Sequence, residues 1–258
     1  MIAIACCLLL LVLTACNGGG DLKATPDPPP TVDAQSVSPG GFWVGTESTG
    51  GDVLVIVTES GYFHYLTLDT FTQGNGVLRV SEGNQIAGEF KLVTQPGFIY
   101  PDRSTRADCA FAGTVAERES MTMYMGCTTT GGMVLNASAV LSYDADYERD
   151  SSLATIAGNY QDESSVLNIA GDGTIFRQDS ETGCVVNGQV DIFNNAFNTY
   201  EVLFSYSDCT EQSEILNGSI FYGIAILDNS VVPEILIIAT TGNVEGVFIS
   251  NYLAVERS

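Results

Sequence analysis

Positive charge is what this chain has least of: nine lysines and arginines stand against 31 aspartates and glutamates, a formal net charge of −22 over 258 residues. That balance excludes nucleic acid as a partner, because duplex binding needs a cationic face to displace counterions. It equally excludes adhesion to anionic lipid through a basic patch. Histidine and tryptophan occur once each, as His64 and Trp43. With one histidine and no C-x₂-C pair, zinc is not expected. The sequence has no G-x-S-x-G elbow, H-E-x-x-H, S-x-x-K or complete phosphate loop, so no catalytic residue, metal ligand or cofactor is assigned and the chain is not read as an enzyme. The acidic stretch "DADYERD" (144–150) lacks the glycine at position 6 and the glutamate at position 12 of a calcium loop. Helical stripes with caps at both ends are also missing. The hydrophobic fraction, 45%, is that of a globular protein, so the acidity reads as the solubility of an exported β-protein rather than as disorder.

What is present begins with an uncharged run, "MIAIACCLLLLVLTA" (1–15). It is shorter than the ~20 apolar residues of a membrane-spanning helix and suits the hydrophobic region of a secretory signal, although it carries no Lys or Arg at its start. It ends in Leu13-Thr14-Ala15-Cys16, which resembles a bacterial lipobox. The resemblance implies cleavage after Ala15 and diacylglycerol on Cys16, and more than one acyl chain makes a stable anchor. Asn17, rather than the aspartate that retains enterobacterial lipoproteins in the inner membrane, follows the cysteine, which implies the outer membrane. Residues 16–40 hold Gly-rich and Pro-rich sequence with almost no large apolar side chain. They read as a tether of roughly 25–30 Å mean reach.

Cys109, Cys127, Cys184 and Cys209 remain after Cys6, Cys7 and Cys16 are set aside, an even number in an oxidising compartment. Three connectivities are possible. Neighbour pairing, Cys109–Cys127 and Cys184–Cys209, keeps each bond in one half of the chain, and each would stabilise by roughly 3 kcal/mol.

The halves show partial self-similarity. "CAFAGTV" (109–115) and "CVVNGQV" (184–190) share C-x₃-G-x-V; "VLVIVTESGYF" (53–63) aligns with "VLNIAGDGTIF" (166–176); and "GFW" (41–43) matches "GNY" (158–160). Short runs rich in Val, Ile, Phe and Tyr recur throughout, from "DVLVIVT" to "GVFISNYLAV", punctuated by Gly, Asn, Asp and Ser. "TESG" and "AGDG" are natural hairpin turns, and "DSSLATIAG" (150–158) can form one short helical turn where the halves join. The expectation is an all-β protein of two small antiparallel β-barrels or barrel-like sandwiches in tandem, spanning 41–150 and 151–258, with about seven or eight strands each.

"GFWVGTESTGGDVLVIVTESGYFHYL" (41–66), with "LATIAGNY", "TGCVVNGQV" and "NTYEVLFSYSDC" (153–209), resembles the two modules of uncharacterised proteobacterial β-rich lipoproteins, a family without an established activity. The G-x-W triplet is also similar to the first strand of lipocalins, where the tryptophan plugs one barrel end beneath an arginine; Arg79 and Arg257 are the arginines available for that place. His64, between Phe63 and Tyr65 in an alternating strand, reads as a strand-face histidine. The preferred expectation is a lipid-anchored, non-catalytic binding or structural module of the cell envelope, meeting a protein or glycan through its loops. Two alternatives are a lipocalin-like carrier of a small hydrophobic ligand and a hydrolase using carboxylates such as Glu211 and Glu214.

Overall fold

The computed structural model describes residues 37–258 apart from 69–71, 96, 163–164 and 181. The signal run, Cys16 and the tether up to residue 36 lie outside the described residues. The described residues form one compact unit. No helix among the described residues is long and apolar enough to cross a membrane.

The fold is all-β: two closed eight-stranded barrels, each an antiparallel meander in sequence order. The first runs β1 (Gly41–Glu47), β2 (Asp52–Val57), β3 (Tyr62–Thr67), β4 (Thr72–Ser81), β5 (Gln85–Thr94), β6 (Arg106–Ala116), β7 (Ser120–Thr129) and β8 (Val134–Asp144). The second runs β9 (Gly158–Gln161), β10 (Ser165–Ile169), β11 (Thr174–Asp179), β12 (Val185–Ile192), β13 (Tyr200–Ser207), β14 (Ile220–Asp228), β15 (Ile235–Val244) and β16 (Val247–Arg257). "TESG" and "AGDG" make the β2–β3 and β10–β11 turns, and the single α-helix among the described residues, α1 (Leu153–Ile156), stands in the join between barrels. Its cap is local: the Ser152 hydroxyl accepts from the Thr155 amide.

Alternation builds the first interior. In β6, Ala107, Cys109, Phe111 and Val115 point inward while Asp108, Ala110, Ala112 and Thr114 face solvent. The inward rows of all eight strands, including Phe63, Phe90, Phe111 and three methionines of β7, fill the barrel. Phe63, Phe90 and Phe111 meet edge to face. This packing explains the glycines of "GNG" (74–76) in β4. A Cβ on Gly76 would run into the Glu89 carbonyl and the Phe90 Cβ of β5 and crowd the Phe63 ring, so glycine is what lets this strand curve close to its neighbours.

Trp43 is fully buried at one end of the first barrel, its indole donating to the Pro39 carbonyl at 3.0 Å and meeting Tyr143 edge to face. The cation–π contacts found among the described residues, Arg118 over Phe197 and Arg257 over Tyr160, do not involve it. Arg257 serves the other barrel: its guanidinium lies 5.0 Å from the ring of Tyr160, the aromatic of "GNY". It also donates to the carbonyls of Ala157 and Thr155. Arg79 lies on β4 of the first barrel, on the far side of the strand from the buried Leu78.

Both disulfides follow neighbour pairing, but they are not equivalent. Cys109 and Cys127 face each other in the β6–β7 register, inside the first barrel. Cys184 and Cys209 instead flank the β12–β13 hairpin at the rim of the second. The C-x₃-G-x-V match therefore joins the sixth strand of one barrel to the fourth of the other, whereas "GFW"/"GNY" and the hairpin match fall on corresponding strands. Replacing Cys109 and Cys127 together by alanine is expected to lower stability by about 3 kcal/mol, from an 18-residue sequence separation, read as a shift of the urea midpoint. An unchanged midpoint would show that the bond adds nothing to the barrel.

The barrels share a core. Phe42, Leu54, Ile56 and Leu66 on the outside of the first pack against Ile224, Ile226 and Ala239 on the outside of the second, with Tyr147 of the join between them. Tyr147 stacks on Phe197 at 4.7 Å. Asn198, also buried, clamps the join by donating to the carbonyls of Leu227 and Asp146 and accepting from the Leu227 amide.

Candidate functional site

Every strand of the first barrel is paired along both edges, with β1 matched to β8 at six positions. The second barrel is closed far more lightly. β9 has four residues, and it meets the eleven-residue β16 only at Gln161–Glu256 and Tyr160–Arg257. Beyond Gln161 the chain turns back into β10, so the wall is notched alongside the first part of β16.

A pocket of about 280 Å³ occupies this notch and the adjoining barrel mouth, lined by Arg177, Asp179, Tyr206, Leu216, Asn251 and Tyr252 among others. Below it Leu167, Ile175, Val186, Phe204, Ile238 and Leu253 close the barrel, leaving only about 20 Å³. The lips are polar. Arg177 reaches inward from β11, pairs with Asp162 at 2.9 Å and donates to the Ser165 hydroxyl at 2.7 Å. Asn251 donates to the Tyr206 hydroxyl. Burial pushes the Tyr206 phenol above its usual pKa, more than the Arg177 charge draws it down. Tyr206 is therefore a neutral hydrogen-bonding group at physiological pH.

The rim is shaped by the second disulfide. Cys209 begins the segment leading into a 3₁₀ turn (Glu211–Leu216), whose Leu216 packs over the second core. The Cys209 amide donates to the Asn217 side chain, whose amide donates back to the Cys209 carbonyl. Glu211 and Glu214, the suggested acid pair, lie exposed on that turn.

A second concavity, about 650 Å³, lies on the outside of the first barrel. Its floor is made of small or short side chains, Ala110, Gly126 and Thr128, with Glu89 and the Lys91–Asp108 ion pair beside them; Phe248 of β16 forms part of its wall.

His64 is on the outer face of its strand, as its spacing suggests, yet it is wholly buried because the second barrel covers that face. Its Nε2 lies 2.9 Å from the Tyr62 hydroxyl, which also accepts from Asn75. Burial alone lowers its pKa to about 3, so it is a neutral seam residue. Among the described residues, the side-chain amide of Gln73, also on the outer face of the first barrel, and the Ser250 hydroxyl of the second are likewise buried without hydrogen-bond partners. Among the described residues no group of three or more His, Cys, Asp or Glu could hold a metal ion. What sequence reading missed is the notch: neither β9 nor β12 stands out as a strand run, and the shortness of β9 is a matter of pairing.

No protein-family model matches this chain, and no curated protein matches it in sequence.

Proposed function

We propose that this protein is a non-catalytic binding module of the bacterial outer membrane, held by lipid on Cys16 and carrying a rigid pair of barrels on its tether. The observation that supports a binding role most directly is the asymmetry of the pair. One barrel is sealed and packed; the other, joined to it through a shared apolar core, is closed by only two residue pairs between β9 and β16 and carries a pocket with polar lips. A rigid body with one incomplete wall presents a fixed surface, which keeps the ordering cost of binding low. Carriage of a small hydrophobic ligand is the second reading. The same pocket bears on it, but the apolar part is too small for such a ligand, since sites of that kind measure roughly 300–1,000 Å³.

The test joins anchor to binding. Mass spectrometry of the native product is expected to show an N-terminus at Cys16 bearing fatty acid, and Cys16→Ser to leave the chain unlipidated and out of the membrane fraction. Photo-crosslinking from position 213, on the same pocket wall, in intact cells is expected to trap one envelope component, lost when Arg177 and Asn251 are both replaced by alanine. A native product that keeps residues 1–15 or carries no lipid would refute the anchor. Crosslinks indifferent to the double substitution would refute the site.

A further inference from the structure

The pairing of β16 leaves a strand edge open. The Arg257 amide donates to the Glu234 carbonyl, on the β15 side. Because a strand alternates the direction of its backbone groups, Val255, Leu253, Asn251, Ile249 and Val247 also face β15, to which they are paired in register. The N–H and C=O groups of Phe248, Ser250, Tyr252 and Ala254 face the other way, toward the notch, where β9 has already ended. Among the described residues no backbone group pairs with them. Phe248, Ser250 and Tyr252 are half-buried, and the Ser250 hydroxyl is buried without a partner. A row of backbone donors and acceptors without strand partners is a template for another strand.

The surroundings leave room for one. Phe248 borders the groove of about 650 Å³ over Ala110 and Gly126, and Tyr252 borders the pocket of about 280 Å³ at the barrel mouth. The edge thus runs from one hollow to the other. Its flanks are acidic: Glu89, Asp108, Asp162 and Asp179 stand against Lys91 and Arg177, and each of those cations is engaged by an aspartate.

We infer that the free edge of β16 is a strand-addition site that takes an extended, cationic segment of a partner protein. The inference rests on the binding role proposed above and gives it a partner chemistry. Main-chain hydrogen bonds to Phe248, Ser250, Tyr252 and Ala254 supply affinity, and alternate side chains entering the mouth and the groove supply selectivity.

The probe is an acetylated octapeptide of alternating lysine and valine, roughly 26 Å when extended, added to the full-length chain. Hydrogen exchange is expected to slow at least tenfold at the amides of residues 248, 250, 252 and 254. Binding is expected to weaken at least tenfold when alternate peptide amides are N-methylated, and again when glutamate replaces lysine. Ala254→Pro removes an amide that bonds no backbone group among the described residues, a position where a strand tolerates proline, and it is expected to weaken binding at least tenfold. Should that variant fail to fold, the N-methylated peptide decides the matter. Equal binding of the N-methylated peptide, absence of slowing at those four amides, or an edge already protected in a dimer of this chain would each overturn the inference. Lipid analysis of Cys16 is independent of these readings, so loss of the anchor and loss of the strand site are told apart.

Discussion

Ile224→Asp is expected to destabilise the protein by about 4 kcal/mol or more, whereas Val140→Asp costs less than about 1 kcal/mol. Both side chains stand on the outside of a barrel strand, and both changes place a carboxylate there. Ile224, however, is fully buried against the first barrel, while Val140 is 69% exposed. A carboxylate at position 224 must either stay charged in an apolar seam or take up a proton, and both are costly. At the few degrees per kcal/mol expected of a chain this size, the melting temperature falls by roughly 10 °C or more. The loss shrinks at low pH, where the carboxyl is neutral. Paired thermal and urea melts of the two variants are the measurement. Similar behaviour of the two would mean that the barrels do not rely on each other, and the shared core would lose its meaning.

The signal for that seam was in the sequence, though as a pattern distinct from the one that marks strands. β6, "ADCAFAGTVA", alternates strictly, and its outer face is solvent-exposed. "VLVIV" in β2 and "ILIIA" in β15 do not alternate, and their strands are buried on both faces. A continuous apolar run in an antiparallel sheet says that something covers the outside. "YFHYLT" belongs to the same class, which is why His64 is buried although its spacing assigns it to an outer face. The disulfide pairing followed from chain halves, because barrels built as meanders keep sequence neighbours together. The open edge was not legible. Strand-forming composition in "GVFISNYLAV" looks the same whether one edge or two are paired, and what exposes it is the early end of β9 at Gln161. In β4, Gly74 and Gly76 serve close packing against β5.

Acid is expected to loosen the seam through its one histidine. His64 is held at a pKa of about 3 by burial, against about 6.5 in an unfolded chain. Above pH 6.5 neither state binds this proton, and the residue adds no pH dependence. Between 6.5 and 3 the unfolded chain binds it and the folded one does not, so stability falls with each unit of acidification by about 1.4 kcal/mol. At pH 4.5 the accumulated loss is about 3 kcal/mol. The nearby groups do not offset it: Tyr62, its hydrogen-bond partner, is raised by its own burial, and Tyr222, which packs on Tyr62, is raised to about 12 by burial first and by Glu201 second. Both stay neutral through the acid range. The many carboxylates titrate in the same range, so the effect is read as a difference between wild type and His64→Gln, in which their contributions cancel. The stability advantage of wild type over the variant is expected to drop by about 3 kcal/mol between pH 7.5 and pH 4.5 in urea titrations. A difference that stays flat would mean that His64 reaches solvent or finds a counter-charge on protonation, and that the two barrels part at this point without cost.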